Sequence, residues 1–173
     1  MKTKFFTKFI TLIIFLTIFI VFFKGLKNSS IYVPDYKTKK DIPFFNTKIF
    51  NTNKKINSKE FFENDKYYLM NIWASWCFPC REEHVYLMDL SNEKNLYLIG
   101  LNYKDTEKNA KNFLGKFNNP YDIIFEDKNG TIAIEWGAYG VPETFLIRNN
   151  KVIKKVIGPL NENLLDEIKE LIK

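Results

Sequence analysis

The sequence predicts an α/β fold in which helices flank one central mixed sheet, preceded by an N-terminal transmembrane helix. Two apolar stretches, residues 67–74 and 96–103, have the length and composition of strands buried on both faces. Segments with the apolar spacing of amphipathic helices alternate with these stretches. A β-α-β-α-β order followed by a hairpin and a helix is typical of a layered domain built around one sheet.

The first half of the predicted domain is centred on a strand–helix–strand unit. Ser58 is a candidate N-cap for a short helix, because its hydroxyl can accept a hydrogen bond from a backbone N–H. The predicted elements are a short strand at residues 44–50, a short helix at 58–64, a buried strand at 67–74, a helix at 78–92 and a buried strand at 96–103.

The second half adds a capped helix, a short strand, a hairpin and a final helix. Asp105 is predicted to cap the amphipathic helix that follows it. The pair Asn149-Asn150 tolerates the positive φ that a two-residue hairpin turn requires. The other predicted elements are a strand at 121–125, a helical turn at 131–136, strands at 144–148 and 151–157, and an amphipathic helix over 160–172.

The N-terminal segment is predicted to be a membrane anchor. Residues 9–23 carry no charge, and residues 5–26 contain only Lys8 and Lys24, near the ends of the apolar run. A helix that crosses a bilayer needs about 20 apolar residues, and terminal lysines can extend to the interface. A cleaved signal peptide is the alternative, but residues 24–34 contain two lysines and no A-x-A-like site.

The net charge of +6 does not indicate nucleic-acid binding. Residues 1–27 contain five lysines and no acid, whereas the remaining residues contain 21 cations and 20 acids. A nucleic-acid surface would place its basic excess on the folded domain. The excess charge belongs instead to the membrane segment, and no nucleic-acid partner is expected.

Three regions follow from these observations. Residues 1–27 are the anchor, residues 28–40 are a polar linker, and residues 41–173 form one domain of ordinary size. Lysines on both sides of the apolar run leave the topology undetermined by charge. An apolar N-terminal segment with a basic start is the usual export signal, so the domain is expected outside the cytoplasm.

The two cysteines of the chain lie in the motif W-C-F-P-C, at a predicted strand–helix junction. Cys77 is expected at the helix N-terminus, where free backbone N–H groups and the helix dipole stabilise a thiolate. Cys80 lies one turn inside the helix, and Pro79 suits the first turn because a missing N–H has no cost there. The motif predicts dithiol–disulfide exchange by an exposed nucleophile, Cys77, with a sheltered partner, Cys80.

Two alternatives for the cysteine pair are weaker. A zinc site needs four ligands, whereas the chain has two Cys and one His, so no metal or other cofactor is expected. His84 is expected to be a partly buried helix residue. A structural disulfide across so short a loop would stabilise the fold little.

Three further residues are candidates for the site. Pro142 precedes a predicted strand, where a cis X-Pro bond facing the cysteines would present backbone to an extended substrate; a trans turn proline is the alternative. Glu83 lies one turn after Cys80 and could carry that thiol's proton, unless it is a solvated helix residue. Glu143 either lines the same groove or is exposed.

Three segments together resemble the DsbE/CcmG thiol:disulfide interchange proteins. They are N-I-W-A-S-W-C-F-P-C-R-E-E-H at residues 71–84, N-Y-K-D at 102–105 and G-A-Y-G-V-P-E-T-F-L-I at 137–147. The resemblance covers most of residues 41–173 and implies a thioredoxin-like fold. The single N-terminal anchor also fits this family.

The resemblance implies a role for each matching residue. Cys77 would be the attacking thiol and Cys80 the resolving thiol of a redox-active disulfide, and Pro142 would be the cis-proline. Glu83 matches the family's glutamate after the CxxC. It is the expected proton-transfer residue because Asn71 stands where ordinary thioredoxins have a buried Asp.

Further residues are expected to support this site or to line the substrate groove. Glu143 matches the acidic residue after the cis-proline. Phe78 departs from the family, in which smaller or polar residues are common inside the CxxC, so the family's redox potential is not transferred. The full set is Trp76, Phe78, Pro79, Val141, Pro142 and Glu143.

The implied activity is reduction of a disulfide in apocytochrome c, or in a haem-ligation partner, so that C-x-x-C-H thiols can accept haem. A membrane thiol donor of the DsbD or CcdA type would supply electrons, since a reductant in an oxidising compartment must be re-reduced. The domain would face the periplasm from the inner membrane. The alternatives are an oxidant or isomerase of the DsbA or DsbC type, a reductase for a copper-oxidase assembly factor, and a non-enzymatic binding module with a structural cysteine pair.

Overall fold

The chain divides into two units, residues 1–35 and residues 36–173. The structure, a computed structural model, describes residues 2–27, 40–62 and 65–173. The first unit contains helix α1, Lys2–Lys27. Within it, Thr7–Lys24 is long and apolar enough to cross a membrane, and its side chains are exposed. The predicted linker lies outside the described residues, except for Lys40.

The second unit contains a six-stranded mixed sheet and a small two-stranded sheet. The strands are β1 (Lys40–Asp41), β2 (Asn46–Lys48), β3 (Lys55–Asn57), β4 (Tyr67–Trp73), β5 (Leu96–Tyr103), β6 (Ile123–Asp127), β7 (Glu143–Arg148) and β8 (Lys151–Ile157). The main sheet has the order β1-β8-β7-β4-β5-β6. β4, β5 and β6 are parallel, and the remaining pairs are antiparallel. The predicted mixed sheet is therefore confirmed.

Five helices cover this sheet: α2 (Ser58–Phe61), α3 (Phe78–Leu90), α4 (Glu107–Phe117), α5 (Thr131–Glu135) and α6 (Glu162–Leu171). One core cluster packs α3, α4 and α6 against one face of the sheet, and a second packs α5 against the other. Every residue of β4 after Tyr67 is buried. Burial on both faces explains why β4 and β5 have the continuous apolar sequences that identify them.

Two predicted helix caps are wrong by one residue. Asn57, not Ser58, caps α2, since its side chain accepts a hydrogen bond from the Glu60 N–H at 3.0 Å. The Ser58 hydroxyl is buried and donates to the Pro43 carbonyl at 3.1 Å. Thr106, not Asp105, caps α4. In each case the hydroxyl or carboxylate of the predicted cap bonds to a distant segment, which sequence spacing does not reveal.

The strand predicted at residues 44–50 is shorter than expected. Only Asn46–Lys48 forms a strand, because it pairs with β3, which the sequence does not predict. This hairpin contacts the edge of the main sheet through the Thr47 hydroxyl, which donates to the Glu126 carbonyl at 2.6 Å. The helix predicted at 58–64 ends at Phe61, and residues 63–64 are outside the described residues.

Other element limits differ from the prediction by one or two residues. The strand predicted at 121–125 is Ile123–Asp127, because the Asp122 carboxylate instead accepts the Leu98 N–H at 2.7 Å. The hairpin turn is as predicted, with φ of 52° at Asn149 and 58° at Asn150. A β-bulge interrupts the register of β7 with β8 between Leu146 and Ile147.

We expect Ile132→Ala to lower the free energy of unfolding by about 2–4 kcal/mol, because this side chain is buried in the core and its loss leaves a cavity. Ile134→Ala is the matched control, since Ile134 lies on the same helix and is 68% exposed. That variant should stay within about 0.5 kcal/mol of the wild type. Urea unfolding of the full chain in detergent measures both values, and equal losses would contradict the assignment of α5 to the core.

Candidate active site

The two cysteines lie where β4 leads into α3. Cys77 is the N-cap of α3, and its sulfur accepts a hydrogen bond from the Cys80 N–H at 3.1 Å. Cys77 and Cys80 form a disulfide, with their Cα atoms 5.3 Å apart. Pro79 lies in the first turn of the helix, as predicted. The sequence forms this junction because an apolar strand ends where a proline can begin a helix.

The two sulfurs are more enclosed than the sequence predicts. Cys77 is 3% exposed and Cys80 is 2% exposed, so the expected exposed nucleophile is not found in this disulfide state. The reason is local, since the disulfide and the hydrogen bond from Cys80 N–H both draw the Cys77 sulfur against the start of α3.

The residues on either side of Cys77 are large, exposed aromatics. Trp76 is 58% exposed and Phe78 is 64% exposed. The indole N–H of Trp76 donates to the Lys104 carbonyl at 3.1 Å, which orients its ring. Exposed aromatic side chains offer a large contact area with few rotatable bonds. Both residues therefore lie where a partner protein that reaches the disulfide would meet them.

Asp105 fixes the loop that carries the cysteines. Its carboxylate accepts hydrogen bonds from the Ser75 N–H at 2.6 Å and the Ser75 hydroxyl at 2.9 Å. It also accepts from the Asn102 amide at 3.2 Å and the Thr106 N–H at 2.7 Å. The sequence assigns Asp105 only a capping role, although its N-Y-K-D segment is part of the family resemblance. Its contact with Ser75 spans 30 residues, which local spacing does not predict.

Glu83 is fully buried, so it is not a solvated helix residue. One carboxylate oxygen accepts a hydrogen bond from the Asn71 amide at 2.8 Å, and the other accepts the Leu160 N–H at 2.9 Å. Glu83 thus connects α3 to β4 and to the segment that precedes α6. Its position three residues after Cys80 places it one helical turn farther along α3.

The Asn71 amide is held on both sides. Its N–H₂ group donates to Glu83 and also to the Thr144 hydroxyl at 3.0 Å, while its oxygen accepts from the Tyr121 hydroxyl at 2.8 Å. Burial, with a smaller contribution from the charge of Glu83, raises the pKa of Tyr121 well above its ordinary value of 10.0. The tyrosine therefore remains a hydrogen-bond donor that orients the amide toward Glu83.

The surroundings of Glu83 favour its neutral form. Burial raises the pKa of Glu83 from 4.5 to about 7, and the hydrogen bonds from Leu160 and Asn71 oppose this rise without cancelling it. A carboxyl group with a pKa near neutrality can both accept and release a proton at physiological pH. Buried groups with such shifts are concentrated at functional sites.

Pro142 begins the segment that enters β7, next to the end of β4. The Val141-Pro142 peptide bond is cis, the isomer that the family resemblance implies. Pro142 is buried, and Val141 packs against the core cluster that includes both cysteines. Glu143 follows Pro142 and pairs across the ladder with Ile72 of β4. The sheet thus brings the proline and the cysteines to the same end of its two central strands, β4 and β7.

Glu143 is 1% exposed, so the alternative of an exposed residue is wrong. Its carboxylate lies 2.7 Å from the ammonium group of Lys155, whose side chain is also fully buried. The sequence does not identify Lys155 as part of this region. No periodic signal marks it, because β8 contains three lysines with similar neighbours.

His84 is 5% exposed and packs against Phe113 and Phe117. Its Nε2 atom lies 3.1 Å from the Phe117 carbonyl and 3.0 Å from the Asn118 carbonyl, so this nitrogen carries a proton. Burial lowers the pKa of His84. In the part of the chain that the structure describes, no group of three or more His, Cys, Asp or Glu side chains could hold a metal ion.

The cysteine pair lies at a helix N-terminus, and the cis-proline lies at the same end of the sheet. Such a pair can exchange two electrons with another disulfide through its sulfurs alone. This chemistry and the topology of the sheet define a thioredoxin-like thiol:disulfide oxidoreductase. The predicted enzyme class is therefore confirmed.

The chain belongs to the Redoxin family and, within it, to the DsbE-type thiol:disulfide interchange proteins. The Redoxin family model matches residues 34–171. The DsbE protein of Tatumella citrea is 38% identical over 134 residues, which cover 76% of this chain and 72% of that protein. CycY of Rhizobium leguminosarum bv. viciae is 44% identical over 100 residues, which cover 57% of this chain and 54% of that protein. The alignments thus span about half to three quarters of these relatives.

Solved structures show the same fold. A DsbE-type protein from Chlorobium tepidum superposes with a TM-score of 0.66 at 22% identity, covering 79% of this chain and 99% of that chain. A secreted disulfide oxidoreductase from Mycobacterium tuberculosis gives a TM-score of 0.62 at 16% identity, covering 74% and 93%. These similarities confirm the predicted thioredoxin-like fold.

The raised pKa of Glu83 predicts a specific pH dependence of stability. The unfolded chain ionises this group near pH 4.5 and the folded chain near pH 7, so the folded state binds the additional proton between these values. The free energy of unfolding should therefore fall as pH rises through this window. A shift of this size corresponds to about 3 kcal/mol.

Urea unfolding of the oxidised protein between pH 4 and 8 checks this expectation. Glu83→Gln should lack the fall that the wild type shows, and the slopes are compared because the substitution has its own constant cost. Glu82→Gln is the control, since Glu82 is an exposed neighbour on the same helix and its variant should keep the wild-type slope. A wild-type slope in Glu83→Gln would contradict the assignment.

Proposed function

We propose that this protein is a membrane-anchored reductant that keeps the C-x-x-C-H cysteines of apocytochrome c, or of a haem-ligation partner, in the thiol form during cytochrome c maturation. The observation that carries this proposal is the Cys77–Cys80 disulfide at the start of α3, in a chain of the DsbE type. The buried Glu83 behind this disulfide supports it, because a resolving thiol needs a proton acceptor.

The reaction begins with Cys77. In the reduced protein, its thiolate is stabilised by the free N–H groups at the start of α3. It attacks one sulfur of the substrate disulfide and forms a mixed disulfide, and the other substrate sulfur leaves as a thiolate that takes up a proton. The substrate thereby gains its first free thiol.

The reaction ends with Cys80. Its thiol loses a proton, attacks the Cys77 sulfur of the mixed disulfide and releases the second substrate thiolate, which is protonated in turn. The protein is left with the Cys77–Cys80 disulfide, and two electrons have passed to the substrate. Cys80 is 2% exposed, so bulk water is a poor acceptor for its proton. Glu83, one turn along α3 and with a pKa of about 7, is the proposed acceptor.

The other site residues have positioning and binding roles in this proposal. Pro142 and Val141 present backbone to the extended substrate chain, and Pro79 shapes the first turn of α3. Trp76 and Phe78 contribute exposed apolar surface on either side of the disulfide. Glu143 supports residues 137–142, here called the proline loop, from inside the protein, since it is buried.

The proposed organisation places residues 1–27 in the inner membrane as a single-pass anchor, residues 28–40 as a linker, and residues 41–173 as the catalytic domain on the periplasmic side. Helix α1 has the length and apolar composition that an anchor requires. A reductant in an oxidising compartment needs a continuous supply of electrons, so a membrane thiol donor of the DsbD or CcdA type is the proposed partner.

We expect Cys80→Ser to accumulate a mixed disulfide with an oxidised C-x-x-C-H peptide, because Cys77 can attack and the variant has no second thiol of its own to resolve the product. Mass spectrometry of the full chain in detergent, after alkylation of free thiols, detects the adduct. Cys77→Ser is the matched control and should form at least tenfold less adduct, since Cys80 lies inside α3, away from the free N–H groups that stabilise a thiolate at Cys77. Equal adducts in the two variants would reverse the assigned roles, and no adduct in Cys80→Ser would exclude this client.

The direction of electron flow is tested by equilibrium with glutathione. A reductant should have a potential more negative than that of protein disulfide isomerase, about −180 mV, and nearer to that of thioredoxin, about −270 mV. The fraction of Cys77–Cys80 disulfide is measured by alkylation across a series of glutathione ratios. A potential near −120 mV, the value of DsbA, would identify an oxidant and contradict the proposal.

A further inference from the structure

A register change in the sheet buries one lysine beneath the proline loop. In a regular strand, Lys155 would point to the opposite face from Val152, because alternate residues face opposite sides. The β-bulge between β7 and β8 adds one residue between them, so that both lie on the face that carries Phe145. Lys155 pairs with Phe145 across the ladder, and its side chain has no exposed surface.

The buried ammonium group of Lys155 contacts the loop at several points. It lies 2.7 Å from a carboxylate oxygen of Glu143 and donates a hydrogen bond to the Gly137 carbonyl at 2.7 Å. It also lies 4.7 Å from the centre of the Tyr139 ring. The Lys155 ammonium group thus contacts Gly137 at the beginning of the loop, Tyr139 in its middle and Glu143, the residue that follows Pro142.

The second carboxylate oxygen of Glu143 holds the same loop through its backbone. It accepts hydrogen bonds from the Tyr139 N–H at 2.5 Å and the Gly140 N–H at 3.1 Å. Glu143 and Lys155 together therefore bind a carbonyl, two N–H groups and an aromatic ring of residues 137–140. These contacts come from two adjacent strands of the rigid sheet.

The loop needs such contacts to keep one conformation. It contains Gly137, which has a φ of +69°, and Gly140, and a Cβ added at either position would meet no atom within 4 Å. Glycine has access to more backbone conformations than other residues, so contacts elsewhere in the loop must select one. Tyr139 is 65% exposed and adds little packing of its own.

A buried ion pair is a poor source of stability, because removing both charges from water costs much of what their attraction returns. Apolar side chains of similar volume often stabilise a fold equally well. The contacts of this pair are concentrated on one loop, so the pair is better explained by what it does to the geometry of that loop.

We propose that Lys155 and Glu143 are positioning residues that hold residues 137–142 in the conformation that binds an extended substrate chain beside the Cys77–Cys80 disulfide. The proposal rests on the proposed function in one respect, namely that a polypeptide binds beside Pro142. It assigns Glu143 no proton transfer, since both of its oxygens are engaged within the protein.

The test compares the full chain in detergent with the double variant Lys155→Met/Glu143→Gln. The double variant removes both charges, so no unpaired charge is left buried. Two probes are used with the reduced protein in single turnover, where the maximal rate constant and the half-saturating peptide concentration take the place of kcat and KM. One is an extended peptide without a C-x-x-C-H sequence that carries a single cysteine in a mixed disulfide. The other is bis(2-hydroxyethyl) disulfide, which is too small to span the loop.

We expect the ratio of kcat/KM for the peptide to the rate constant for the small disulfide to fall at least tenfold in the double variant, through a higher KM. The matched control is Lys154→Met/Glu167→Gln, which removes the neighbouring ion pair between β8 and α6. Its ratio should stay within twofold of the wild type. A purely structural role would lower both rates together and leave the ratio unchanged, which would overturn the proposal.

A second variant keeps the test decisive if the double variant does not fold. Tyr139→Ala removes the largely exposed ring that lies over the Lys155 ammonium group, and it should raise the KM for the peptide at least threefold. An unchanged KM would show that the loop does not bind the chain and would overturn the proposal. Because the peptide lacks C-x-x-C-H, these results are independent of the cytochrome client, whose failure would appear only in the adduct experiment with Cys80→Ser.

Discussion

Burial of β4 on both faces is the constraint on which the rest of the structure depends. Its apolar residues hold the centre of the sheet, and its carboxyl end delivers Cys77 to the start of α3. Alternate residues of β4 also reach both sides of the sheet. Asn71 meets Glu83 on one side, and Ile72 pairs with Glu143 across the ladder. The dithiol and the buried carboxylates of Glu83 and Glu143 are thus positioned by a single strand.

The buried carboxylates of Glu83 and Glu143 differ because their neighbours differ. Among the described residues, Glu83 accepts hydrogen bonds only from neutral donors, an amide and a backbone N–H, so burial dominates and raises its pKa to about 7. Glu143 meets the ammonium group of Lys155 and forms a buried ion pair. The first environment suits a group that gains and loses a proton, whereas the second suits a group that holds backbone in place.

Local sequence signals predicted the features that depend on neighbouring residues. The buried strands, the CxxC at a helix start and the Asn149-Asn150 turn follow from composition and spacing within a few residues. Signals of this kind failed where a side chain bonds to a distant segment. Asp105 reaches back 30 residues to Ser75 instead of capping α4. Cys77 is enclosed rather than exposed, because the disulfide draws its sulfur inward.

The sequence by itself determined the class of fold, the apolar N-terminal helix and the chemistry of Cys77 and Cys80, because periodicity, apolar length and C-x-x-C spacing are local properties. Only the tertiary structure decided which charged side chains are buried and with whom. A lysine in K-V-I-K-K-V-I is indistinguishable from its neighbours until a bulge turns it inward. A glutamate acquires a pKa of about 7 only when several segments close around it, since desolvation is a property of the assembled core.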